Sequence, residues 1–241
     1  MSWPEIVDEQ NTLAALLDTG SSIARFGDGE FKLIAGFDQM REPRNKKLGR
    51  ELKDVLQNQR EKLLVGIPTL DPKGPKYLNW RYRAAQRFGR YVAPGVNNGM
   101  RYFSAFITRP DSAPWIYSRE YAEHFVRLWK DKFPILVSEP DTAIYRLLER
   151  TASAGTFGFV ACPHSETYKE LDDIEHRVRQ RAGAETQRAC VALLSCGPAA
   201  TCLSARLSGT MQAIDVGSAG GFLLRLLFGK GNDDDDRTGK E

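Results

Sequence analysis

Residues 190–218 read CVALLSCGPAATCLSARLSGTMQAIDVGS. Cys190 to Ser195 is a short apolar run without polar alternation, the pattern of a strand covered on both faces. Pro198 stands where a first helical turn accepts proline, and Gly209 where a helix stops, so PAATCLSARLSG reads as a helix. QAIDVGS then resumes as a second buried strand. Strand, helix and strand in succession make a crossover unit, which joins parallel strands.

Working outward, the same alternation recurs. An amphipathic helix is expected from Ile6 to Leu17 and a strand at Ile23. NKKLGRELKDVLQNQREK sets Leu48, Leu52, Val55 and Leu56 on one face, and KLLVGIP is a buried strand closed by Pro68. A helix from about Tyr77 to Arg90 is broken by APGVNNG, and YFSAFITRP is extended. SREYAEHFVRLWKDKF carries an apolar stripe of Tyr121, Phe125, Leu128 and Trp129. PILVSEP and TFGFVACP are strands, Asp141 is a candidate cap for TAIYRLLERTAS, and ETYKELDDIEHRVRQRAG is a helix ending at Gly183. The expected class is α/β: one Rossmann-like, doubly wound, mostly parallel sheet of six or seven strands with helices on both faces. One domain is expected over residues 1–228, with a disordered acidic tail over 229–241.

The 241 residues suffice for a substantial core, and 41% hydrophobic with 27% charged residues describes a soluble globular protein. No apolar run reaches the ~20 residues of a membrane span. The N-terminus MSWPEIVDEQ is acidic, unlike a signal peptide, so a cytoplasmic protein is expected. Cys162, Cys190, Cys196 and Cys202 have no C-x-x-C spacing and the three histidines are scattered, which favours reduced buried thiols over a zinc site. Between Pro72 and Pro110 lie eight Lys or Arg and no Asp or Glu, interleaved with aromatics, while the rest of the chain is net acidic. Such a segment suits a phosphate-bearing partner or is simply a basic solvated face.

In a parallel sheet, ligands sit at the carboxyl ends of the strands. RFGDGE puts Asp28 and Glu30 two residues apart in a glycine turn, so both carboxylates can converge on one hard cation. Arg25 beside them can hold a phosphate as a fork. The competing reading is a turn whose acids are solvated or cap the next helix. SCGPAAT, with Ser195 and Gly197, offers a helix N-terminus to an anion or is only a tight turn. ITRP offers Thr108 and Arg109 as a second phosphate contact or a surface salt bridge. IDVGSAGG has the D-x-G-x-x-G form of S-adenosylmethionine-dependent methyltransferases, but Asp215 lies too near the end for anything except a permuted domain.

Taken together, SIARFGDGEF, AFITRP and LLSCGPAATCLSARLSGTMQAIDVGS resemble the bacterial glycosyltransferases of the GT-D fold, from about Ser22 to Ser218. The D-x-E element of that family matches Asp28-Gly29-Glu30. The resemblance implies a nucleotide-sugar donor, usually UDP-linked, and Mn²⁺ or Mg²⁺ held through Asp28 and Glu30. It assigns Arg25, Phe26, Gly27, Gly29, Thr108, Arg109, Ser195 and Gly197 to the substrate site. Asp215 and Ser218 would line the sugar or acceptor pocket, with Asp215 as a candidate base. Where the family pattern reads aspartate, apolar, glycine, histidine, this chain ends in Ser218, so a nucleotide-sugar-binding protein without turnover is the alternative. The basic segment fits a glycan acceptor on a lipid diphosphate and peripheral contact with an anionic membrane. Nucleic acid is disfavoured by the near-neutral overall charge of +3.

Overall fold

The structure is a computed structural model and describes residues 4–58, 60–68, 96, 99–109 and 118–229. The expected helix from Tyr77 to Arg90, the basic residues Lys73 to Arg90 and the tail beyond Gly229 lie outside the described residues.

One sheet organises the chain. Its strands are β1 (Ile6–Val7), β2 (Ser22–Arg25), β3 (Leu63–Ile67), β4 (Tyr102–Ser104), β5 (Phe133–Ser138), β6 (Gly158–Ala161), β7 (Cys190–Ser195) and β8 (Gln212–Asp215). They lie in the order β1-β4-β3-β2-β8-β7-β5-β6, and every pairing is parallel. That makes eight strands where six or seven are expected. The addition is β1: Ile6 and Val7 pair with Tyr102 and Phe103 instead of opening a helix. Asp8 then caps the helix that follows by accepting the Asn11 N–H at 2.8 Å.

Among the described residues seven helices lie between strands and an eighth follows β8: α1 (Glu9–Thr19), α2 (Asp28–Ile34), α3 (Lys46–Gln57), α4 (Arg119–Val126), α5 (Ala143–Thr151), α6 (Leu171–Ala184), α7 (Ala199–Leu207) and α8 (Ala219–Phe228). Strand residues alternate between two cores, as the pleat requires. Ala24, Val65, Ile135, Val137, Ala192 and Leu194 face α2, α3, α6 and α7, whose buried members include Phe31, Leu52, Ile174 and Leu203. Ile23, Leu136, Val191, Leu193 and Ile214 face α1, α4, α5 and α8, through Leu16, Phe125, Leu147 and Phe222. Helices on both faces explain why these strands are apolar throughout.

Several local expectations shift. Only Tyr102–Ser104 of YFSAFITRP is a strand; Ala105–Thr108 tightens into a 3₁₀ turn capped by the Ser104 hydroxyl, which accepts from the Phe106 N–H at 3.0 Å. α4 stops at Val126, although Leu128 and Trp129 beyond it are fully buried. Thr142 rather than Asp141 takes the N-cap position of α5, without a side-chain cap bond, and Asp141 before it is left-handed with φ 54°. All four cysteines are free thiols, three of them buried, as expected. α8 docks on the start of α5 so closely that a Cβ on Gly220 would sit 2.2 Å from the Ile144 nitrogen.

Candidate functional site

The sheet centre decides where a site can form. β2 sends its chain to α2 on one face, β8 sends its chain to α8 on the other, and β7 returns to the first face through α7. Strand ends that diverge in this way leave a crevice above the carboxyl edge, the location at which open α/β sheets bind ligands.

Arg25 closes the floor of that crevice. Its Nε donates to the Asp215 carbonyl at 2.7 Å and its Nη2 to Asp215 Oδ1 at 2.8 Å. Nη1 donates to the Ala105 carbonyl at 3.0 Å and to the Thr108 hydroxyl. The two side chains are only 11% and 7% exposed, so this is a buried ion pair with most of its donors matched. Four of the five guanidinium N–H bonds are thus directed to protein acceptors. The expected phosphate fork is therefore a clamp joining β2, β8 and the turn after β4.

Asp215 is tied down by the same contacts. Its Oδ1 also accepts the Gly217 N–H at 3.1 Å, and the Ser195 hydroxyl donates to the Gly217 carbonyl at 2.8 Å. Gly217 has φ 48°, and a Cβ there would lie 2.4 Å from Arg25 Nη2, so the clamp requires glycine at this position. Asp215, expected as a candidate base, thus has its Oδ1 shared between the Arg25 guanidinium and the Gly217 N–H.

The D-G-E stretch is a helix start rather than a free turn. Gly27 precedes α2, and Glu30 bends back so that its Oε2 accepts the Gly27 N–H at 2.6 Å. Asp28, the first helical residue, stays partly exposed, with its Oδ2 3.5 Å from Lys32 Nζ. Burial pushes the Glu30 carboxyl up to about 7; the Asp215 and Asp28 charges add to this, and the Gly27 N–H opposes it. Phe26 is fully buried and stacks on Phe31 with ring centroids 6.3 Å apart, so it supports the turn from below. Gly29 lies under the Gln39 side chain, where a Cβ would meet Cγ at 3.3 Å.

The remaining expected residues fall into two groups. Thr108 is buried and committed to Arg25, whereas Arg109 reaches the rim, its Nη1 3.4 Å from the Ser218 hydroxyl. Gly197 turns β7 into α7, and Ser218 stands immediately before α8, so both helix N-termini open onto the crevice. Thr201, which sequence reasoning missed, donates from α7 to the Arg25 carbonyl at 2.9 Å. Two further polar residues follow apolar runs at strand ends, Glu139 after PILVS and His164 after FVACP. Their position just past a strand was the signal available to find them.

A hard cation such as Mg²⁺ or Mn²⁺ keeps several waters and takes one or two protein carboxylates together with substrate phosphates. Asp28 and Glu30 fit that demand by position: both stand in the first turn of α2, with Asp28 partly exposed and Glu30 Oε1 not used by the Gly27 N–H, which binds Oε2. Among the described residues no group of three or more His, Cys, Asp or Glu could hold a metal without such a substrate.

Comparison with known proteins converges on one family. A family model described as "Glycosyltransferase GT-D fold" matches residues 23–220. The chain is 25% identical over 188 residues to a probable glycosyl transferase, Gly, of Streptococcus gordonii, covering 73% of this chain and 27% of that protein. It is 23% identical over 218 residues to the glycosyltransferase GlyD of Streptococcus pneumoniae serotype 4, covering 88% of this chain and 26% of that protein. The chain thus spans about a quarter of the length of these curated relatives. A solved structure of "domain of unknown function 1792", described as having a distinct glycosyltransferase fold, superposes with a TM-score of 0.78 at 25% identity. That match covers 92% of this chain and 81% of the other. A glycosyltransferase of the same domain type from Streptococcus sanguinis gives 0.76 at 24% identity, over 93% of this chain and 86% of the other, a likeness of fold.

Proposed function

The chain belongs to the glycosyltransferase GT-D fold family, and on that premise we propose that its strand-end crevice transfers a sugar from a nucleoside diphosphate, UDP foremost, to a glycan acceptor. The observation that carries this reading is the pair of carboxylates in the first turn of α2, Asp28 partly exposed and Glu30 bent back onto the Gly27 N–H with its carboxyl raised to about 7 by burial. Breaking the anomeric bond leaves negative charge on the diphosphate, and a site that performs the reaction must stabilise that charge as it develops.

Asp28 and Glu30 would hold Mn²⁺ or Mg²⁺, which would supply positive charge to neutralise the departing diphosphate. Arg25 does not touch the phosphates; it fixes the floor by holding Asp215 and the turn at Ala105 and Thr108. Arg109 at the rim, with the N-termini of α7 and α8, supplies the remaining positive field. Gly197 and Ser195 shape the turn on which the diphosphate rests. The acceptor side lies toward Ser218, and the basic stretch Lys73 to Arg101 supports an acceptor on a lipid diphosphate at an anionic surface. No helix among the described residues is long and apolar enough to cross a membrane.

A second reading, donor binding without turnover, is favoured by one observation: Asp215 Oδ1 is taken up by Arg25 and the Gly217 N–H.

The test is a thermal-shift panel of UDP-, GDP-, CDP- and TDP-sugars, each with Mn²⁺ and with chelator. A rise in melting temperature for one nucleotide class only when Mn²⁺ is present supports the proposal. Asp28→Asn should abolish that rise. Equal response with chelator, or none with any nucleotide, overturns it. Release of free nucleotide diphosphate over time separates transfer from binding alone.

A further inference from the structure

The carboxyl edge of the sheet carries a second constellation that the donor site leaves unused. Glu139 follows the last residue of β5, and His164 stands three residues past the end of β6. His164 Nδ1 lies 2.7 Å from Glu139 Oε2, while Glu139 Oε1 accepts from Arg41 Nη1 at 2.9 Å. A carboxylate accepts hydrogen bonds, so Nδ1 is the donor in this contact, and the neutral tautomer that makes it carries its lone pair on Nε2.

The frame around this pair is well tied. The Glu166 N–H donates to the Arg41 carbonyl at 2.7 Å, and the Tyr168 N–H donates to Glu42 Oε1 at 2.9 Å. Among the described residues three non-glycine residues adopt positive φ, and two of them, Asp141 and Glu166, lie two positions beyond Glu139 and His164. Strain of this kind persists where surrounding contacts impose it, and it gathers at functional sites.

Position and chemistry agree. Ser138 pairs with Ser195 and Leu194 with Asp215, so Glu139 stands two strands from Asp215, about 10 Å by strand spacing, and His164 follows β6, one strand further along the same edge. Transfer with inversion needs a group to take the acceptor's proton. Asp215 is engaged by Arg25, and Glu30 by Gly27. Of the three histidines, His124 on α4 contacts the Glu120 carbonyl and His176 lies on the exposed face of α6; His164 alone is at the carboxyl edge.

We propose that His164 is the catalytic base of an inverting sugar transfer, with Glu139 as its positioning residue. This rests on the crevice being the nucleotide-sugar site. The acceptor hydroxyl gives its proton to Nε2 while its oxygen lone pair forms the new bond to the anomeric carbon. The bond from that carbon to the diphosphate oxygen breaks, and its electron pair leaves with the diphosphate. The imidazolium then returns its proton to water, and nothing is oxidised or reduced.

The charged groups around His164 are Glu139 after β5, Arg41 between α2 and α3, Glu166 paired with Lys169 in its own loop, and Arg177 of α6, which donates to the Ala161 carbonyl. The experiment follows UDP release from UDP-glucose and UDP-N-acetylglucosamine with Mn²⁺, to water or to p-nitrophenyl glycosides, in the full chain and in His164→Gln and Glu139→Gln. Equal melting temperatures confirm that both variants fold. His164→Gln is expected to lower kcat about 10²–10⁴-fold with unchanged UDP affinity, and the product has inverted configuration. Glu139→Gln lowers kcat with unchanged UDP affinity, because Nδ1 loses the carboxylate that orients the ring, and Glu139→Asp recovers part of the loss. Full kcat in His164→Gln, a product of retained configuration, or UDP-sugar binding with no turnover in the native chain overturns the proposal while leaving the donor site standing. No UDP-sugar binding in the native chain overturns the donor site itself.

Discussion

Glu30 satisfies a helix N–H and at the same time carries a charge that its surroundings resist. Its carboxyl, ordinarily near 4.5, is raised to about 7 in the fold. A group with a raised folded value binds its proton more tightly in the native state, so it adds stability below the unfolded value and loses it as pH rises through the folded one. The window is therefore about pH 4.5 to 7. Glu30→Gln keeps an oxygen for the Gly27 N–H but never ionises. It should melt at a higher temperature than the parent at pH 8 without metal, by a margin on the order of 1–3 kcal/mol, and lose the Mn²⁺-dependent shift. Melting curves at pH 5 and pH 8 check this: equal gaps at both would mean that the carboxyl is not strained. The sequence displayed this residue plainly, since a D-G-E turn after a strand invites attention. It did not display the Arg25–Asp215 pair, whose members are 190 residues apart and meet only when β2 and β8 become neighbours.

Elements were legible where pattern alone decides them. α3 buries Leu48, Leu52, Val55 and Leu56, the four positions its periodicity selects. β1 was missed because two apolar residues before an amphipathic run look like its first turn, and only the edge of β4 makes them a strand. The packing of α8 on α5 was equally hidden, and it yields an internal control. Adjacent glycines differ: a Cβ on Gly220 would collide with the Ile144 backbone at 2.2 Å, whereas one on Gly221 meets only the Ala143 Cβ at 3.9 Å. Gly220→Ala should destabilise by about 2–4 kcal/mol by prising the helices apart. Gly221→Ala should be neutral or stabilise by about 0.5–1 kcal/mol through helix propensity. Chemical denaturation of both variants decides it, and similar effects at the two positions would refute the docking geometry.

At the scale of the whole molecule, strand order matters more than strand count. β8, the last strand among the described residues, lies between β2 and β7 and makes the sheet continuous. A chain ending at Gly209 lacks it, so β2 and β7 are left with open, apolar edges that pair with other chains. Such a fragment should run as oligomers or precipitate, and a monomeric, cooperatively melting fragment on size exclusion and circular dichroism would contradict this. The order of synthesis runs against the order of assembly. Some 190 residues separate Arg25 from Asp215, roughly 10–40 s of translation at about 5–20 residues per second. For that interval the N-terminal strands wait on the ribosome without their central neighbour, and the crevice has no floor. The nascent domain thus carries an unpaired β2 edge until β8 emerges, and the crevice is among the last parts of this domain to take shape.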